Sequence, residues 1–360
     1  MDGNNRVQTP GKDPSRQDFI KRSGALAAAA VVAKPQLFDV LMKSKKVRIG
    51  IPLTYGPLNQ PWRRGAGMLV KKVLEMGAEP VTFRGEPTKA SERNAEEQLL
   101  TRGIDALVMG IYQTQLESKA TAQRAQSRGI PTVGFATYVY NSPAVVEDQF
   151  GTALKLGNWV LDKLQRRGTV VQTAENPGFY QPFDIEVSML NLMVKWQPQM
   201  TMLPFLPGGV STQNERQLSR QNVTSLLSAH PQKGSVNAIV SWWWPDSLGA
   251  ADALRQTGRT EIIIANHYFS NELLTYMSQP NSLILASTDT PWHILGTKTG
   301  ELAVRMARGE RIPPATYFVP VTFIERKDAA RTLADIKRMD SEVIALLRHY
   351  GGYSLYGHDH

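Results

Sequence analysis

Leu100-Thr101-Arg102-Gly103-Ile104-Asp105-Ala106-Leu107-Val108-Met109 holds a helix end, a turn and a strand in one short stretch. A helical segment beginning at Ser91 runs to Arg102, and Gly103 stops it. Asp105 to Met109 is too short for a helix and almost wholly apolar, which suits a strand buried on both faces. The same unit recurs in both directions. Upstream, Val47 to Leu53 and Pro80 to Phe83 read as strands. Between them Pro61 opens a helix with apolar positions at Met68, Leu69, Val73 and Leu74, ended by Gly77. Downstream, Thr114 to Arg128 is helical, Gly129-Ile130-Pro131 breaks it, and Thr132 to Ala136 is a fourth strand.

The second half keeps this rhythm. Strands are predicted at 169–173, 201–206, 238–241, 261–265 and 283–287. Helices are predicted at 151–166, 182–196, 213–230, 247–256, 271–278 and 292–308. Strands separated by helices of this length imply parallel sheets with right-handed crossovers. Two consecutive sets imply an α/β chain of two doubly wound, Rossmann-like lobes. The C-terminal ends of their strands then face one shared crevice, where open sheets of this kind bind ligands. After Lys327 a helical tail runs to about Arg348, and a poorly ordered Gly-, Tyr- and His-rich end follows.

The chain has 360 residues, 42% of them hydrophobic, which exceeds one compact core and supports two lobes. It has no cysteine, so disulfides, thiolate metal sites and thiol nucleophiles are excluded. Net charge is +9. The Lys and Arg are spread along predicted helices, and no helix-turn-helix or RNA-binding motif is present, so nucleic acid is not an expected partner. A phosphate loop and a Gly-Xaa-Ser-Xaa-Gly elbow are also missing, and the six His are scattered. Glu96-Glu97 reads as a solvated helix face. No enzyme, metal or cofactor is expected.

Residues 1–45 read as an export leader. Charged residues precede the mildly apolar run Ala25 to Ala33, which is too short to span a bilayer. Ser15, Arg16, Asp18, Phe19 and Lys21 resemble a twin-arginine signal in which Gln17 replaces the second arginine.

From Lys46 to Lys327 the sequence resembles the type I periplasmic binding proteins of the ribose- and galactose-binding group. The matching segments are Val47 to Leu53 with Asn59-Gln60-Pro61-Trp62, Leu100 to Val108, Gly129 to Val133, Leu226 to Pro231, Leu248 to Leu254 and Tyr317 to Thr322. The resemblance implies a three-segment hinge near Glu147-Asp148, Thr288-Asp289 and Val321-Thr322. It gives a first lobe of 46–147 plus 290–320, a second of 148–289 plus 321–327, and a tail from 328 to 360. It implies an exported, monomeric, non-enzymatic solute-binding protein. Such a protein closes on a sugar, polyol or sugar derivative and delivers it to an inner-membrane ABC permease. A periplasmic sensor feeding a histidine kinase or chemoreceptor is the alternative.

Sugar recognition needs hydrogen-bonding groups for hydroxyls and aromatic faces for C–H surfaces. Trp62, with Gln60 and Tyr55, follows the first strand where the family has an Asn-Pro-aromatic turn. Successive residues of an extended segment face opposite sides, so Trp242, Trp243 and Trp244 cannot share one core. At least one belongs in the crevice or at the surface. Trp243 and Trp244 stand where the family keeps a polar pair. Tyr112, Tyr138 and His267-Tyr268 replace other polar family residues, which makes the cleft more aromatic and less charged. Asp289 and Trp292 sit at the second hinge crossing, and Asp148 reads as a helix N-cap. Glu175, Asn176, Phe179, Tyr180, Phe183 and Asp184, with Asn214 and Glu215, are the second lobe's further candidates.

Overall fold

A computed structural model describes residues 46–55, 60–175, 178, 180–208 and 214–350. Residues 1–45, expected to be an export leader, Asn176, Phe179 and the Gly-, Tyr- and His-rich end lie outside the described residues.

Two sheets form the framework. The first is built from β1 (Arg48–Leu53), β2 (Glu79–Arg84), β3 (Ala106–Met109), β4 (Thr132–Phe135), β5 (Ala144–Glu147) and β12 (Thr316–Val319). Its order is β12-β5-β4-β3-β1-β2, and every pairing is parallel. The second contains β6 (Arg167–Ala174), β7 (Gln199–Met202), β8 (Leu206–Pro207), β9 (Ala238–Ser241), β10 (Ile263–His267), β11 (Ile284–Asp289) and β13 (Thr322–Glu325). Its order is β13-β11-β10-β9-β6-β7, with β8 also beside β6, and only β13 runs antiparallel. Strands β3, β4 and β9 are buried at every position, which explains why they carry apolar runs instead of alternation.

Helices α1 (Gln60–Glu75), α2 (Lys89–Leu100), α3 (Gln115–Ser127), α4 (Gln149–Lys163), α5 (Gln181–Lys195), α6 (Glu215–Ala229), α7 (Trp244–Thr257), α8 (Asn271–Met277), α9 (Trp292–Ala307) and α10 (Ala329–His349) make the connections. Their starts carry local signals. Thr114 and Glu117 form a reciprocal capping box on α3, and Asp148 caps α4 through Gly151 N. The chain passes between the sheets at three places: β5 into α4, β11 into α9, and β12 into β13. Strands β5 and β12 were not among the strands read from sequence: β5 follows β4 with no helix between them, which breaks the strand-helix alternation, and β12 is only four residues long.

Helices α1 and α9 pack backbone to backbone. A Cβ on Gly296 would lie 1.9 Å from the Gly65 carbonyl oxygen, so neither position tolerates a side chain. This contact sets Trp62 and Trp292, near the starts of the two helices, beside each other. The tail helix α10 lies against α1 on the first lobe and α8 on the second. Asp340 of α10 and Arg64 of α1 form a fully buried two-point ion pair at 2.5 and 3.1 Å.

Candidate functional site

The ends of four strands deliver aromatic rings to one place. Trp62 follows β1, Tyr180 follows β6, Trp243 follows β9 and Trp292 follows β11. Trp62 and Trp243, from opposite lobes, stack with centroids 5.4 Å apart and planes 24° apart. Tyr180 meets Trp62 at 5.1 Å from the second lobe, and Tyr112 meets it edge-on at 5.6 Å from the first. Trp292, Tyr268 and Phe183 complete the enclosure. All of these rings are buried. The lobes are closed on one another, and the closing surface is aromatic.

The polar ends of the rings are held from behind. Tyr180 Oη donates to Glu147, whose other oxygen accepts from Thr290 Oγ1 at 2.6 Å. Trp243 Nε1 donates to Glu215 Oε2 at 2.8 Å. These bonds fix ring orientation and leave the faces free for contact. Burial raises the Glu147 pKa against the hydrogen bonds from Thr290 and Tyr180. Burial also pushes Asp289 well up, opposed first by the Arg64 charge. Ala136 and Tyr268 have φ of 56° and 72°, in the left-handed region. Two side-chain-bearing residues in that region, both at strand ends facing the crevice, are the kind of local strain found at binding sites.

Among the residues selected from sequence, Trp62, Tyr112, Trp243 and Trp292 come together in this enclosure. Tyr55 lies next to it, its ring 6.1 Å from Phe135. Gln60 Oε1 accepts from Asn271 N at 2.8 Å and so bridges the lobes. Trp244 is 6.3 Å from Trp243 and starts α7. Asp289 lies at the β11–α9 crossing and accepts from Phe269 N at 3.2 Å. Tyr138, half-buried, lines a recess beside the first crossing with Gln113, Gln149 and Tyr180.

Asn214 and His267 are not brought into the enclosure. Asn214 is exposed at the N-terminus of α6 and makes no cap bond. His267 turns into the second lobe, with Nδ1 3.0 Å from Thr288 Oγ1 and Nε2 3.4 Å from Glu186. Burial drives its pKa down to about 3, so the ring is neutral. The three consecutive tryptophans divide as the alternation rule requires. Trp242 bonds Gln172 inside the second lobe, while Trp243 meets Trp62. None of the three is at the surface, because the crevice itself is closed.

Glu96 departs from its expectation as a solvated residue. It is fully buried and accepts from Gly110 N at 3.0 Å and Gln113 Nε2 at 2.9 Å, whereas Glu97 stays outside with Arg124. The turn after β3 has N–H groups that no strand partner takes, and the carboxylates of α2 satisfy them. Arg63 and Arg64 were read only as general charge. The signal they carried was position: they directly follow Pro61-Trp62 and precede Gly65 and Gly67, in a helix buried on most sides.

Comparison with known families gives a match over residues 51–311 to the periplasmic binding protein domain. The chain belongs to that family. No curated protein sequence matches it. Solved structures of this kind match closely in fold. An ABC transporter solute-binding protein from Agrobacterium vitis, with bound allitol, is 24% identical with a TM-score of 0.72, covering 81% of this chain and 99% of that one. The arabinose-binding component from Shewanella sp. ANA-3 is 15% identical with a TM-score of 0.71, covering 87% and 99%. The 5-methylthioribose-binding protein from Thermotoga lettingae is 18% identical with a TM-score of 0.67, covering 86% and 93%. Family membership fits the paired sheets, three crossings and interlobe enclosure described above. No helix among the described residues is long and apolar enough to cross a membrane.

Proposed function

We propose that this protein captures a small polar ligand between its lobes and hands it to an inner-membrane ABC permease. The ligand is a sugar, polyol or sugar derivative. The observation that carries the reading is the Trp62–Trp243 stack, since it joins rings from both lobes in the crevice between the two sheets. Solved relatives carry allitol and arabinofuranose in their structures, which agrees with this ligand class. The moving bodies are 46–147 with 290–320 and 148–289 with 321–327, and the exported monomer works in the periplasm without catalysis.

In this reading Trp62, Trp243, Trp292 and Tyr112 supply faces, while Gln60 and Asp289 supply hydrogen bonds. Tyr55, Tyr138 and Trp244 support them. Ligand bridging both lobes selects the closed arrangement. Micromolar affinity corresponds to about −8 kcal/mol, within reach of a few hydrogen bonds and stacked rings.

A thermal-shift screen against sugars, polyols and their derivatives tests this. A ligand that binds only the folded state raises the melting temperature. Trp62→Ala is expected to weaken that ligand at least tenfold while leaving the fold intact. A ligand that binds equally well to Trp62→Ala and Trp243→Ala variants would move the site out of the crevice.

A further inference from the structure

The charges around the aromatic enclosure are one-sided. Tyr112 lies in the field of Glu92, Glu175 and Glu215. Tyr180 and Tyr268 lie in the field of Glu147 and Glu186. Every one of these carboxylates is buried, as is Asp289 beside Trp292. On the first lobe's side, Arg63 and Arg64 oppose them, and Arg64 already belongs to Asp340. The chain as a whole carries +9, whereas the ionisable side chains buried around the crevice are mainly acids.

Two further observations point to a ligand. The indole faces of Trp62 and Trp243 are electron-rich surfaces that attract a cation placed against them. Trp62 Nε1 is completely buried and has no hydrogen-bond partner among the described residues, so it offers a donor to an acceptor such as a hydroxyl. A ring between two indoles needs about 7–8 Å, twice a carbon contact distance. The observed 5.4 Å therefore has to widen by about 2 Å when a ring enters.

We propose that the ligand is a hydroxylated ring carrying a protonated amine, such as an amino sugar or aminocyclitol. It stacks between Trp62 and Trp243 and directs its ammonium toward Glu147 and Asp289. This rests on the solute-binding reading and narrows its ligand class. Burial favours the neutral form of both carboxylates. An arriving ammonium favours their charged form, so binding is accompanied by proton release.

The test is calorimetric titration with matched rings that differ at one substituent: glucosamine, glucose and N-acetylglucosamine, and the same trio on galactose and mannose. The amine member of a trio is expected to bind at least tenfold tighter than its hydroxyl and acetamide counterparts. Its heat is expected to vary with the ionisation enthalpy of the buffer, in the direction of proton release. Glu147→Gln and Asp289→Asn are expected to reduce the amine's advantage, with thermal melting used to verify that each variant is folded. A neutral member that binds as tightly as the amine overturns the charge inference and leaves the solute-binding reading standing. Silence from every trio, together with silence from the wider sugar and polyol screen, overturns both.

Discussion

Both lobes bury carboxylates close to their strand ends, and one pair in each lobe is treated in the opposite way to the other. In the first lobe, Glu92 accepts from Ile111 N and Tyr112 N at 2.9 Å and from Gln113 N at 3.2 Å. Glu96 beside it takes Gly110 N and Gln113 Nε2. In the second lobe, both oxygens of Asp246 and both of Glu186 lack hydrogen-bond partners among the described residues. The first pair is scaffolding: it folds the turn that carries Tyr112. The second pair accepts no hydrogen bond among the described residues, and burial raises both pKa values well above normal, which favours their uncharged form. A buried acid that collects backbone N–H groups belongs to the fold. One that collects none is a local cost to folding.

The largest test of this contrast is Glu92→Ala. It strips acceptors from three buried backbone N–H groups, each costing about 1–3 kcal/mol when left unmet. We expect a loss of about 3–5 kcal/mol in urea denaturation, and a variant that loses less than about 1 kcal/mol would remove the scaffolding role. A smaller effect is expected from pH. Glu92 is raised to about 8 and Glu96 to about 7, by burial first and, for Glu92, next by the charge of Glu96. Glu97 adds to the rise at Glu96, and Arg93 opposes it. A raised carboxylate favours the folded state while protonated, and that benefit is lost as pH climbs through the folded-state pKa. Melting temperature is therefore expected to fall by several degrees between pH 5 and 8. The double variant Glu92→Gln, Glu96→Gln should flatten that slope, since it removes both titrations and keeps one acceptor oxygen at each position.

The sequence was informative where a residue's role depends on its neighbours along the chain. Gly77, Gly103 and Gly129 end helices in the left-handed conformation, and the apolar runs they precede became β2, β3 and β4. Trp62, Trp243 and Trp292 were selected because each stands after a strand, where open parallel sheets bind ligands, and their rings meet in one enclosure. The partners of these residues were not legible. Glu147 meets Tyr180 and Thr290 across 33 and 143 positions, and Arg64 meets Asp340 across 276. Such pairings are set by the crossing of the lobes, which no local pattern encodes. The same limit explains Glu96. Its helix face reads as polar, and only the turn after β3 makes that face an interior one.

Asp246→Asn is the smallest expected effect and the sharpest discriminator between the two treatments. It leaves the side-chain volume nearly unchanged and breaks no hydrogen bond among the described residues, where neither Asp246 oxygen has a partner to lose. Glu215, whose charge adds to the rise caused by burial, would face a neutral amide. Replacing an uncompensated buried acid by a neutral isostere is expected to leave stability unchanged or raise it by up to about 1 kcal/mol, with the gain growing above neutral pH. The sign follows from linkage: the native acid resists ionising, so its burden increases as pH rises, and the amide has no proton to lose. A loss above about 1 kcal/mol in the same urea assay would mean that Asp246 has a polar partner after all. It would then join Glu92 as scaffolding, and the difference between the lobes would reduce to Glu186 alone.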